Sequence, residues 1–421
     1  AEARAIVERE DHNLRAAIAW STDNEPRATT LEFVPAVAGA WYVSGNFPEI
    51  VELCATVLDD DGGDPGLRGW ARYRMVWPTF LSGQGERAFA ANEEALALAR
   101  DVEDPTLEVL ATFTQAHMIF LGAGDIGAAM PWYEESLAMC ERHDLRTAKV
   151  WPLANAAMAL ILSDREVGRA RQMIDEAEAL GQQSGDDHRL AHVSLDKYML
   201  ALSEGDYAQA IEASEEMRRR SRRARNTRYE QGALVGIGAG RLGLGQLTEA
   251  ETMFLSAARL ALHDGNLVQT GPALQGLAAL CRERGALLVF DEIQCGLGRT
   301  GKMFAHEHAG VTPDILTLAK PLAGGLPMGA ILLREDLAPA LKVGDHGSTF
   351  GGNPVAAAAA LAVLDRLTEP GFLDDVAAKG MYLTRGLRRL AKKHKDKVVD
   401  VRGMGLMLGV ELRGEAGPVV K

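Results

Sequence analysis

Through the first two-thirds of the chain, apolar positions recur with a long, regular period. A small or apolar residue returns at Ile50, Ala88, Ala129, Ala170, Ala210 and Ala250, at intervals of 38, 41, 41, 40 and 40. Five positions before each stands a turn residue: Gly45, Gly83, Gly124, Arg165, Gly205 and Gly245. Apolar residues after each turn are spaced as on one helix face, for example Ala208, Ile211, Ala213 and Met217. The pattern predicts units of a helix, a turn and a second helix, with alanine where helices approach closely. One such pair cannot bury its own apolar stripe, so neighbouring units are expected to stack into a right-handed α-helical solenoid.

The pattern changes at Gly285. Pro272 to Leu280 reads as the first helix of a further unit, whose second helix should anchor near residue 290. Ala286 to Phe290 is instead a short apolar run closing on Asp291-Glu292, which reads as a buried strand. A glycine-rich loop, Gly296 to Gly301, follows. A second apolar segment, Ile315 to Ala319, delivers Lys320 onto the turn Pro321 to Pro327. Asn353 to Thr368 and Phe372 to His394 read as helices, and Val398 to Leu412 alternates as strands do. The expected domains are an α-solenoid over 1–284, an α/β domain over 285–370 and a smaller one over 371–421. No Pro/Ser-rich spacer separates the first two, so the junction reads as a spliced boundary, not a linker.

Charge follows the same division. From Gly285 onward there are 17 Lys+Arg against 15 Asp+Glu; before it, 28 against 43. The acidic first part argues against a chain-wide nucleic-acid surface. The seven arginines between Arg218 and Arg228 read as a solvated helix face. The four cysteines (Cys54, Cys140, Cys281, Cys295) are far apart and suggest neither a zinc site nor a disulfide framework. The ten histidines show no ligand spacing, so no metal is expected. Val355 to Leu364, the longest apolar run, is too short to span a bilayer, and a cytoplasmic protein is expected. A chain opening on Ala1 rather than Met points to sequence upstream.

The chemistry gathers between Asp291 and Lys320. A carboxylate closing one strand and a lysine just past the next suit aldehyde-cofactor chemistry: the lysine forms an imine and the carboxylate holds a pyridinium proton. The glycine loop with Lys302 invites a nucleotide-binding reading. However, position 303 is Met rather than a hydroxyl residue, and Asp314 precedes the next strand instead of closing it. Asp291 and Glu292, as neighbours on a strand, are expected to face opposite ways and not to share a substrate.

Three segments, Leu287 to Gly301, Pro313 to Leu322 and Gly347 to Pro354, together resemble class-III pyridoxal-phosphate aminotransferases, and most of all the acetylornithine branch. The resemblance runs from about Leu277 to Lys421. It implies a partial PLP-transferase (fold type I) domain in which Lys320 carries pyridoxal 5'-phosphate and acts as the general base. Asp291 would pair with the pyridine nitrogen and Gln294 with the phenolic oxygen. Ser348 and Thr349 would reach the phosphate of a partner subunit, implying a homodimer. The substrates implied are amino acids and 2-oxo acids, with N-acetylornithine as donor and 2-oxoglutarate as acceptor. Two departures stand out. Ala323 replaces a usual glycine, and residues 1–284 contain no Ser-Gly-x-Glu-Ala phosphate cup. The enzyme half-site is therefore expected to be weakly active or inactive as it stands.

The earlier Gly-[Asp/Gln/Asn]-x-x-x-Ala turns resemble tetratricopeptide-like repeats. Glu10 to Trp20 is similar to the start of the repeat region in large bacterial ATP-dependent transcriptional regulators. That resemblance implies a scaffold for a protein partner. The chain as a whole reads as a chimera, with the scaffold as the alternative working part.

Overall fold

The computed structural model describes residues 9–43, 47–59, 62–81, 84–263, 267–345 and 347–417. The chain divides into two compact units, Ala1–Gly245 and Gln246–Lys421. The described residues of the first unit form helices and turns. The helices are α1 (Asp11–Asn24), α2 (Arg27–Leu31), α3 (Val34–Val43), α4 (Phe47–Val57), α5 (Pro65–Leu81), α6 (Gly85–Asp101) and α7 (Pro105–Ala123). They continue as α8 (Ile126–Arg142), α9 (Val150–Leu162), α10 (Val167–Ser184), α11 (Asp187–Ser203), α12 (Tyr207–Arg223) and α13 (Thr227–Gly243).

Each helix packs on the next, and α3, α5, α7, α9, α11 and α13 also pack in succession. The recurring positions explain this arrangement. Ile50, Ala88, Ala129, Ala170, Ala210 and Ala250 are all 0% exposed, so a larger side chain at the alanines would push two helices apart. The turns repeat too. Gly124, Gly205 and Gly245 adopt φ of 66°, 74° and 72°. Nothing lies within 4 Å of a Cβ built on any of the three, so glycine is used there for its left-handed backbone and not for space. At the fourth turn Asp164 and Glu166, on either side of Arg165, take φ of 51° and 45° instead. After the glycine, Asp125 and Asp206 start the next helix by accepting from Ala128 N and Gln209 N, both at 3.0 Å. The expected turn residues Gly45 and Gly83 lie outside the described residues.

The second unit opens with two packed helices, α14 (Leu247–His263) and α15 (Leu267–Glu283). Gly285 turns the chain with φ 62°, and the next element is a strand, β1 (Val289–Asp291). Then come β2 (Ile315–Leu318), β3 (Ala330–Leu333), α16 (Pro354–Leu367), α17 (Phe372–Lys393) and the hairpin β4 (Val398–Met404) with β5 (Met407–Leu412). The three-stranded sheet has the order β1-β2-β3, parallel between β1 and β2 and antiparallel between β2 and β3. In register, Ile315 of the central strand lies between Val289 and Leu333, and Thr317 between Asp291 and Ile331.

One face of this sheet is covered. Leu316 and Leu318 are buried against Leu297, Leu322, Ala360 and Leu367, with Phe290 packed alongside. The opposite face is not: Val289 is 52% exposed and Ile331 67%. The expectation of a buried strand over residues 286–290 is thus corrected. Strand pairing begins only at Val289, and Leu287 is 50% exposed. Among the described residues β1 is an edge strand, so no neighbour covers what its apolar sequence is suited to bury.

Replacing Ala210 with Leu is expected to lower stability by about 1–3 kcal/mol, as overpacking does. The same change at the exposed Ala208 should stay within about 0.5 kcal/mol. Urea unfolding followed by far-UV circular dichroism compares the two.

Candidate functional site

The parallel pairing of β1 with β2 brings the C-terminal ends of both strands together, the end of an α/β sheet where ligands bind. Asp291 closes β1 directly beside Thr317. Its Oδ1 accepts from Thr317 Oγ1 at 3.0 Å and from Ile293 N at 3.1 Å. Oδ2 has no partner among the described residues, so a free carboxylate oxygen remains on the exposed side. Glu292 N donates to Thr317 O at 3.0 Å and extends the ladder by one rung. Lys320 follows three residues after Thr317, a stretch of chain that spans at most about 11 Å. Lys320 is exposed and sits at φ 37°, a left-handed conformation that costs a lysine free energy. Such an outlier at a strand exit marks a candidate functional position.

The neighbouring acid faces the other way. Glu292 is 3% exposed and accepts from Ala305 N at 2.7 Å, His306 N at 2.8 Å and His306 Nδ1 at 2.8 Å. It therefore anchors the segment after the glycine loop. The loop itself is structural. Gly296, Leu297, Gly298 and Thr300 are buried. A Cβ on Gly298 would come within 3.0 Å of Leu367 and Leu373, and one on Gly301 within 3.0 Å of Ala377. These glycines let α16 and α17 approach, and the loop presents no open cradle for a phosphate. Asp314 ties the other end of the sheet: Leu288 N donates to its Oδ2 at 2.8 Å, and Arg334 pairs with its Oδ1.

The other expected site residues are not drawn in. Gln294 is exposed just past β1, while Ser348 and Thr349 are exposed in the loop before α16, where Gly351 N donates to Ser348 O at 3.1 Å. Among the described residues neither Lys320 nor any of these three side chains makes a hydrogen bond. Cys295, beside the site, has its thiol pKa pushed up by burial and by nearby Glu292.

The helical unit holds a buried polar interior that sequence reading missed. His117 Nδ1 meets Tyr133 OH at 2.8 Å and His192 Nδ1 meets Tyr229 OH at 2.9 Å. Burial lowers both imidazoles to about 3, so both are neutral. One turn along α11 from His192, Asp196 is 0% exposed and neither carboxylate oxygen has a hydrogen-bond partner among the described residues. Burial raises its pKa well above the usual carboxylate range. The arginine run on α12 is matched by acids instead. Arg220 pairs with Asp187 at 2.8 Å and Glu216 at 2.6 Å, and Arg222 pairs with Glu230 at 2.7 Å.

Residues 264–419 match the class-III aminotransferase family. The acetylornithine aminotransferase of Rhodobacter capsulatus is 51% identical over 148 residues, 35% of this chain and 38% of the relative. The enzyme of the same name from Methanocaldococcus jannaschii is 51% identical over 148 residues, 35% of this chain and 37% of the relative. Ornithine δ-aminotransferase of Plasmodium falciparum, of known structure, is 40% identical, covering 34% of this chain and 38% of that one with a TM-score of 0.33. The C-terminal region is thus a class-III aminotransferase segment, a family whose cofactor is pyridoxal phosphate. The chain spans less than two-fifths of the length of these curated relatives. No described helix is long and apolar enough to cross a membrane.

Glu292→Ala is expected to destabilise by on the order of 3 kcal/mol, because three donors lose a buried acceptor. Asp291→Ala, at an exposed position, should cost less than about 1 kcal/mol, and denaturant titration separates the two. The Asp196 carboxyl, with its pKa raised on folding, loses its proton more readily in the unfolded chain, so it weakens folding as pH rises above the ordinary carboxylate value. Asp196→Asn should therefore raise the melting temperature near neutral pH, with the gain vanishing near about pH 3. A gain independent of pH would contradict this assignment.

Proposed function

We propose that residues 264–419 form the cofactor-lysine part of a class-III aminotransferase site. In this reading Lys320 holds pyridoxal phosphate, Asp291 faces its ring nitrogen, Gln294 its phenolic oxygen, and Ser348 and Thr349 reach a phosphate across a homodimer. The observation that carries it is the register of Asp291 beside Thr317, with Lys320 in left-handed backbone just past the end of β2. The fit rests on Asp291: Thr317 Oγ1 and Ile293 N orient its carboxylate through Oδ1, and Oδ2 stays open to accept one N–H.

The bound cofactor supplies an aldehyde and an electron-accepting ring. The chain's own groups do the rest. Asp291 Oδ2 would accept from the heteroaromatic N–H it faces and so keep that proton on the ring nitrogen. Lys320 Nζ, released from its resting role, takes the substrate proton and returns it as a general base does. Thr317 keeps the Asp291 carboxylate in one orientation. The substrates would be an ω-amino donor such as N-acetylornithine, by analogy with the relatives' names, and a 2-oxo acid such as 2-oxoglutarate, as the sequence resemblance implies. Residues 1–284 carry no Ser-Gly-x-Glu-Ala phosphate cup, so we expect weak or no turnover from residues 264–419 by themselves.

A second reading concerns the first unit: a tetratricopeptide-like solenoid that presents a surface to a protein partner. Its support is the burial of every recurring position at an interval near forty residues, and the stacking of alternate helices.

The test is to incubate the chain with pyridoxal phosphate, reduce with borohydride and map modified peptides by mass spectrometry. The expected result is cofactor mass on the Lys320 peptide, lost in Lys320→Ala and reduced in Asp291→Ala. Labelling spread over exposed lysines, unchanged in either variant, would leave the scaffold reading alone.

A further inference from the structure

We propose that the helical unit carries a binding site for a planar aromatic carboxylate, formed by a platform of rings on α9, α11 and α13 with Arg228 beside it. The site lies wholly within the first unit and is independent of the reading of Lys320.

Rings from three successive helices of one layer meet here. The Trp151 ring centroid lies 5.3 Å from that of His188 and 5.2 Å from that of His192. Tyr229 approaches the same two imidazoles at 5.4 and 5.8 Å. His192 is buried, whereas Trp151, His188 and Tyr229 are half-buried and keep surface open to solvent. Flat rings held this way suit the face of another flat ring. Two donors are spare. Trp151 Nε1 makes no hydrogen bond among the described residues, and His192 Nε2 has no partner although it is buried. The layer also curves. Arg228, on α13, acts on His117 of α7, three helices away. At 8–10 Å per helix pair a flat layer would separate them by about 25 Å, well beyond the reach of a screened charge.

Charge selects an anion. The acids nearest the platform are already engaged. Asp186 caps α11 through His188 N and Arg189 N and pairs with Arg189 at 3.6 Å. Asp187 takes Arg220 at 2.8 Å, and Glu230 takes Arg222 at 2.7 Å. Arg228 is half-buried next to Tyr229, yet it has no hydrogen bond or ion pair among the described residues. Beyond burial itself, its positive charge helps to lower both His117 and His192, so it bears on the ring cluster. Asp196 holds its proton well above the usual carboxylate range and opposes an anion less than an ionised acid would. Trp151, His188 and Arg228 also stand in the first turns of their helices, at the positive ends of the helix dipoles. One guanidinium fork matches one carboxylate in two parallel hydrogen bonds, and a single positive charge suits a monoanion better than a phosphate dianion.

Isothermal titration calorimetry of the full chain, without pyridoxal phosphate, tests this with 2-naphthoate as the probe. Its counterparts are uncharged 2-naphthamide, non-planar cyclohexanecarboxylate and 2-naphthyl phosphate. The expected result is one-to-one binding of 2-naphthoate, weaker by about tenfold or more for each counterpart and for 2-naphthoate in Arg228→Gln. Arg228→Lys keeps the charge without the fork and should fall between. Trp151→Leu should weaken 2-naphthoate and leave cyclohexanecarboxylate unchanged. Arg219→Gln, on α12 where Glu216 pairs with Arg219, and Lys320→Ala should both bind as the unaltered chain does. Circular dichroism confirms that the variants fold. No binding at millimolar 2-naphthoate, equal binding of 2-naphthamide, tighter binding of 2-naphthyl phosphate, or binding that survives Arg228→Gln in a folded chain would each overturn the proposal. Loss of binding in Lys320→Ala would place the ligand in the other unit and overturn it too. The borohydride assay bears on Lys320 alone, so either reading can fail without the other.

Discussion

The candidate site depends on one pairing, the short parallel ladder between β1 and β2. Three residue pairs, Val289 with Ile315, Phe290 with Leu316 and Asp291 with Thr317, set where Asp291 ends and where the chain leaves for Lys320. A slip of β1 by one residue against β2 would turn its faces over, burying Asp291 and exposing Phe290. Several contacts hold the register. Asp314 accepts from Leu288 N at one end, Asp291 accepts from Thr317 Oγ1 at the other, and Leu316 and Leu318 lock one face against α16.

Much of this is visible in the residue pattern because the constraints are local or periodic. The alanine at each repeat meets the same crowding in every unit, so it recurs at a readable interval, and its burial in the structure is complete. The run closing on Asp291 and the exit at Lys320 are equally local: a strand length, an acid, a lysine, then Gly and Pro. The helices before and after Gly371 and the final hairpin follow from composition and alternation in the same way.

Other features depend on residues far apart in the chain, and no local pattern signals them. Glu292 is an ordinary acid in the sequence, yet in the structure it is buried beneath Ala305 and His306. The tyrosines that satisfy His117 and His192 come from other helices, 16 and 37 positions away. Asp196 gives no sign of its burial, since a lone acid on a helix normally faces water. The exposure of Val289 is the reverse case: an apolar strand is buried only if something covers it, and that depends on partners, not on its own residues. The two units therefore contrast in self-sufficiency, the helical one closing its core and the sheet one leaving a face open.

The most direct measurement is a crystal structure of the full chain refined to a resolution that shows side chains around β1 and β2. The account predicts Asp291 opposite Thr317 in a parallel pair, their side chains hydrogen-bonded, with Lys320 at the same strand ends. A shifted or antiparallel pairing, or a β1 segment detached from β2, would contradict it.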